Sequence, residues 1–264
     1  MMTEHAPGEA NQQLTRGGGQ LRTSQPSQPS RPARVARGIR RWAWAGLLAQ
    51  ILFVVSWVAA VTWQGPRYST GADSISDMYA ETAPHAWFLI VVLTVCGAAT
   101  MGFAFGAVRR ALRPGGWTAT VGSALLAISI VGLGDLLTVT ERLDCRMVDP
   151  GCTATRQISN LGGQLDNTLS TYGVLALIVA GVFLSFAMRR AATWRGWAWP
   201  TRWTMLALFL VTFADAIGSH YGAGGLFERM IALIGAAWLA ALAVAVLRRA
   251  RPARQAGPAE PAQV

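Results

Sequence analysis

The sequence predicts an all-α polytopic membrane protein: a bundle of six transmembrane helices with both termini in the cytoplasm. Three observations lead there. Of the 264 residues 52% are hydrophobic and only 14% charged, with a mean hydropathy of +0.34, a balance more apolar than ordinary soluble domains show. The apolar residues are gathered into runs long enough to cross a hydrocarbon core of about 30 Å. The arginines, finally, are sorted between alternate connections.

Taken in order, residues 42–63, 86–108 and 169–188 contain no Asp, Glu, Lys, Arg or His, and each reads as a span. Residues 117–139 carry only Asp135, 203–219 only Asp215, and 230–247 no charge, which completes six. Pro66, Pro84, Pro114, Pro150 and Pro200 fall between the runs and none inside them, as expected of uninterrupted helices whose connections are marked by proline. The transmembrane domain is therefore set at 41–249. Residues 1–40, rich in Gln, Ser, Pro, Gly and Arg, cannot bury enough apolar surface to fold and read as a disordered basic tail, as does 250–264. A cleaved signal peptide would place its apolar region much nearer the start.

Every one of the 23 basic residues is an arginine. Eighteen fall in the two tails and in the connections after the second and fourth runs; Arg67, Arg142, Arg146, Arg156 and Arg229 are the five left for the other side. The positive-inside rule then puts both tails in the cytoplasm, the orientation expected here for an inner-membrane protein. The net charge of +10 is a topology signal and not a nucleic-acid footprint, because the arginines flank helix ends instead of forming a patch on a folded domain. Membrane lipids are the expected partners, with anionic head groups facing the stretch from Arg31 to Arg41.

On the outer side, Cys145 and Cys152 flank the turn Asp149-Pro150-Gly151, which brings them together in an oxidising compartment. They read as a disulfide, with two free thiols or a metal pair as the alternatives. Cys96, in the middle of the second run, reads as a packing residue. The first outer loop holds Ser74 three residues before Asp77, a box-like relation that predicts a short capped interfacial helix. The same loop offers Ser76, Asp77, Glu81 and His85 to a head group, a cation or a substrate.

The core Ile75-Ser76-Asp77, followed by the step Ala83-Pro84 into an aromatic-rich span, resembles the bacterial integral-membrane family catalogued as domain of unknown function 998 (DUF998). It is also similar to loops of the eukaryotic six-helix Frag1/DRAM/Sfk1 group, associated with membrane lipid organisation. The resemblance spans about residues 42–248 and implies an architecture and a membrane address, not a reaction. Members of the bacterial family often carry a histidine at the start of the fourth span, where this chain has Leu165 and Asp166.

No nucleophile elbow, zinc helix, phosphate-binding glycine loop or cofactor fingerprint is present, and no cofactor or metal is expected. Gly102 and Gly106 form a small-xxx-small pair that reads as close helix packing. Asp215 lies twelve residues past Trp203, about 18 Å along a helix, and so deep in the membrane. There it must face the interior, as part of a site or in a structural hydrogen bond. Asp215, Asp135, Ser76, Asp77, Asp166 and His220 are the candidates to line one outward-facing polar pocket for a lipid or small amphiphile. The alternatives are an intramembrane lipid hydrolase, using His85 and His220 with Asp135 or Asp215, and a structural partner of other membrane proteins.

Overall fold

The computed structural model describes residues 31–250. Its long helices are α1 (Arg31–Ala60), α2 (Ala86–Phe103), α3 (Trp117–Ala127), α4 (Leu161–Arg190), α5 (Arg195–Gly218) and α6 (Gly224–Arg249). With their short 3-10 and π extensions, five stretches are long and apolar enough to cross a membrane: Arg34–Trp63, Ala86–Ala111, Leu161–Arg190, Ala192–Tyr221 and Gly224–Arg249. The sixth is a bent pair, Trp117–Ala127 with Ile130–Leu137. The protein is an all-helical, multi-pass chain of five or six spans.

Several element bounds differ from expectation, each for a local reason. Helix α1 begins at Arg31, so 31–40 belongs to the helix and not to the tail; the rest of both expected tails lies outside the described residues. Helix α4 starts eight residues before the expected 169 because Asn160 caps it, its side-chain oxygen accepting from the Gly163 N–H at 2.7 Å, which satisfies one orphan donor of the first turn. Pro200 sits inside α5 instead of in a connection. It is the sixth residue of the helix, one turn in, where the missing N–H leaves the Gly196 carbonyl without its ladder donor.

The third span is the largest departure. Between α3 and the short helix Asp135–Leu137 the chain bends by 44° and runs through a π turn, Ile130–Gly134. No proline is involved. Ser129 takes an extended conformation, its hydroxyl donates to the Leu126 carbonyl at 2.7 Å, and its own carbonyl receives the Gly132 and Gly134 N–H groups. Serine's alternative bonding, with two glycines of weak helix propensity, interrupts the ladder. Gly97 of α2 makes the bend possible in space: a Cβ there would overlap the backbone of Gly132 and Leu136.

Helix α1 packs on α2 and α6, α3 on α4, and α5 on α4 and α6. One apolar cluster, centred on Phe103, Leu126, Leu184, Leu208 and Leu239, joins all six helices. A second lies toward the end where α1 finishes and α2 begins, and into it the first loop inserts Ile75, Met78 and Tyr79 against Phe53, Trp57 and Leu89. Within the bilayer region Gln50 of α1 donates to Thr100 of α2 at 3.1 Å, a polar clasp between helices.

Candidate functional site

The two ends of the bundle differ in construction. At one end the loop 64–85 is drawn down over the helices by guanidinium groups that grip its backbone. Arg229 of α6 donates to the carbonyls of Thr70, Asp73 and Gly225 at 2.8–2.9 Å and to the Tyr68 hydroxyl. Arg142 donates to the carbonyls of Tyr79 and Ala80, and Arg146 to that of Gln64. The first free N–H groups of α6, from Gly225 and Leu226, bond to the carbonyls of Ala72 and Gly71, so orphan donors of a helix terminus also hold the loop. Cys145 and Cys152 are joined in a disulfide, Cα atoms 6.0 Å apart. It closes the turn in which Asp149 receives Arg146 and Thr82. Burial opposes the ionised form of Asp149, yet these donors hold its carboxyl below the usual range.

Beneath this roof lies a polar layer. In the 3-10 turn Ser76–Tyr79, the Ser76 and Tyr79 hydroxyls both donate to Asp166 Oδ1 of α4 at 3.0 Å. Asp77 accepts from Ser74, through N–H and hydroxyl, and from the Met147 N–H, each at 3.0 Å, and from the Gln157 amide at 2.8 Å. The Asp77 N–H returns a bond to Ser74 Oγ, the reciprocal pairing of a capping box. Glu228 of α6 accepts from the Ile75 N–H at 2.8 Å. Glu141, only 2% exposed, keeps a buried Oε1 with no partner among the described residues. Burial raises the Asp77 carboxyl and the Tyr79 hydroxyl, and it pushes Glu141 up to about 8, the charges of Asp166 and Asp135 adding to it.

Of the six residues expected to share a pocket, Ser76, Asp77 and Asp166 lie in this layer. Asp135 is buried at the start of the bent span's last turn, its backbone against Gly97. Asp215 is six residues from the end of a stretch that runs to Tyr221, about 9 Å along the helix. It is therefore near a span end and not deep, because the span begins at Ala192 and Trp203 is well inside it. Asp215 receives the Ser219 hydroxyl, and His220 is exposed; neither is bonded to the layer. Glu141, Tyr79, Glu228 and Arg229 escaped the sequence reading. The available signal was the placement of Glu228-Arg229 directly against the start of an apolar run.

At the opposite end, a cavity of about 830 Å³ opens between α1, the end of α2 and the start of α3. Arg109, Arg110 and Arg113 stand around it, all exposed. Its walls are Trp42, Met101 and Phe105, and its floor is Gly102 and Gly106, on which the Trp42 ring lies so close that a Cβ at either would overlap it. The π turn Ala104–Val108 forms the wall leading to the arginines; such turns often sit at functional sites.

Residues 36–245 match the family model described as "Protein of unknown function (DUF998)". The chain belongs to that family. The match covers both ends of the DUF998 bundle, the roofed polar layer and the arginine-ringed cavity alike. The similarity to the Frag1/DRAM/Sfk1 group rests on the short loop motif alone. No curated protein and no solved structure matches the chain.

Proposed function

We propose that this DUF998 protein is a multi-pass protein of the bacterial cell membrane, with its arginine-rich end in the cytoplasm, that binds an anionic lipid or small anionic amphiphile in the cavity between α1, α2 and α3. The observation that carries this reading is an arginine mouth, without an ion pair among the described residues, on a chamber walled by Trp42, Met101 and Phe105. The ion pairs among the described residues, Arg146–Asp149 and Arg156–Asp144, are both at the roofed end, and every Asp and Glu within 31–250 belongs to that end or to the span turns next to it. Arg190 and Arg249 donate to the carbonyls of Gly115 and Thr193, whereas among the described residues the Arg109 side chain has only Thr120 at 3.4 Å. A phosphate would meet unengaged guanidinium donors, each such charge-assisted contact contributing about 1.5–3 kcal/mol. An acyl chain would lie along Phe105 and Met101. This locates amphiphile binding at the end opposite to the expected polar pocket, whose carboxylates are largely occupied by their own loop. The hydrolase alternative would need His85 and His220 brought to Asp135 or Asp215, and of these His220 is exposed and Asp135 buried.

The test is a titration of the purified full chain, in neutral detergent, with short-chain phosphatidylglycerol, phosphatidylcholine of the same chain length, and inorganic phosphate. Saturable binding of phosphatidylglycerol is expected, at least tenfold weaker in the double variant Arg109→Gln/Arg113→Gln and in Thr120→Phe, which fills the cavity and leaves every charge in place. Unchanged binding in Thr120→Phe would reduce the effect to surface attraction and overturn the reading. Equal binding of phosphatidylcholine would do the same.

A further inference from the structure

We infer that the layer beneath the roof is a proton-binding site, in which the side chain of Glu141 holds one exchangeable proton and thereby keeps the loop 64–85 closed over the bundle. The reasoning starts from charge. Glu141 is buried within reach of the charges of Asp166 from α4 and Asp135 from the bent third span, and itself acts on Tyr79 of the roof. Asp77 and Glu228 act in turn on Asp166 and Tyr79, and Arg142 and Arg229 are among the cations of the same end. Neither cation forms an ion pair with the acids, since both guanidinium groups grip backbone carbonyls. A set of buried carboxyls without counter-ions cannot all ionise together, because each added charge is repelled by its neighbours in a medium that screens poorly.

Hydrogen bonding decides which member carries the proton. Asp77 has donors from Ser74, Met147 and Gln157, and Asp166 has two hydroxyl donors. Glu228 has one N–H donor. Among the described residues neither Glu141 nor Asp135 has a side-chain donor; Asp135 lies in the bent span, and Glu141, beyond the span's end, leaves its Oε1 buried without a partner. Carboxylates lacking both donors and counter-ion are the poorest anions of the set and therefore its neutral acids, and of these two Glu141 is the one outside the span, at the level of the roof. The upward displacement of the Glu141 carboxyl agrees with this placement. When Glu141 loses its proton, a second negative charge appears beside Asp166. Asp166 is the acceptor that holds Ser76 and Tyr79, the two side chains by which the roof is fastened to α4, so deprotonation acts on that fastening directly.

Two measurements test this on the full chain in detergent. Infrared difference spectra across a pH titration should show a protonated-carboxyl stretch that disappears with a midpoint near 8 and is missing in Glu141→Gln. Amide hydrogen exchange of residues 75–80, corrected for the intrinsic pH effect, should rise at least tenfold above that midpoint in the parent and stay flat in Glu141→Gln. Should that variant fold poorly, Asp166→Asn serves, since removing the neighbouring charge should move the infrared midpoint of Glu141 to lower pH. A titrating carboxyl band of undiminished amplitude in Glu141→Gln, a roof whose exchange rises equally in that variant, or a midpoint unmoved in Asp166→Asn would each overturn the inference.

Discussion

Arginine does two different jobs in this chain, and the difference is visible one residue at a time. At the cavity end it offers free charge; at the roofed end it serves as a planar fork. Arg229 reaches three carbonyls and a hydroxyl while its guanidinium faces the Trp57 and Tyr68 rings, 5.8 Å from each centroid. An ammonium cannot reproduce that fan of donors. Arg229→Lys, which keeps the charge, is therefore expected to cost about 2–3 kcal/mol and to make the loop 64–85 the first site of limited proteolysis; a parent-like digestion pattern would argue against the fork. Glu141 makes a second, signed prediction. Its carboxyl is raised from 4.5 to about 8 by folding, so between those values the folded state binds more protons than the unfolded one. Stability contributed by the neutral acid is then complete below 4.5, declines as pH rises toward 8, and levels off beyond. Melting temperatures of the parent should fall over that interval, and those of Glu141→Gln should fall less.

Among the elements, the third span carries the most information. Its bend places the turn Asp135–Leu137 against α2, and the approach is close enough that Gly97 has no room for a side chain. Gly97→Val must push the two backbones apart, an overpacking that costs about 3 kcal/mol. The expected result is a clear drop in melting temperature in detergent, with Ala99→Val, at a partly buried neighbouring position on the same helix, as the milder control. An equal effect of both substitutions would mean that the contact with the bent span contributes nothing special. The span's composition predicted a helix of full length; what broke it was a serine and two glycines acting without proline.

The whole molecule is polarised. Eighteen arginines belong to the connections and tails of one end and five to the other, and a lipid-exposed bundle with that asymmetry should insert with the cavity end in the cytoplasm. Reporters fused at Pro114 and at Thr193, in the two tight connections of that end, are expected to behave as cytoplasmic, and one at Gly151 as external. A cytoplasmic signal at Gly151 would reverse the orientation and put the disulfide in a reducing compartment.

Sequence alone determined the class of the protein, because hydrocarbon solvent leaves few options: runs of apolar residues of span length become helices, and 86–108 was recovered almost to its bounds, as was the end of 42–63. It also determined the family, through the short Ile75-Ser76-Asp77 loop within a chain-long pattern of spans. Tertiary structure decided everything that depends on which polar groups meet. Asp166, expected at the start of the fourth span, lies inside α4 and accepts from Ser76 and Tyr79, some ninety residues earlier. Asp215 looked central and proved to be near a span end, because the depth of a residue depends on where a helix really begins. The five arginines left over from the topology count included the three that hold the roof, and Glu141, just beyond a span, proved to be buried with an oxygen that has no partner among the described residues. Hydropathy is a property of each residue in its own segment, whereas hydrogen-bond partners and electrostatic neighbours are pairings between segments, and these exist only once the helices have packed.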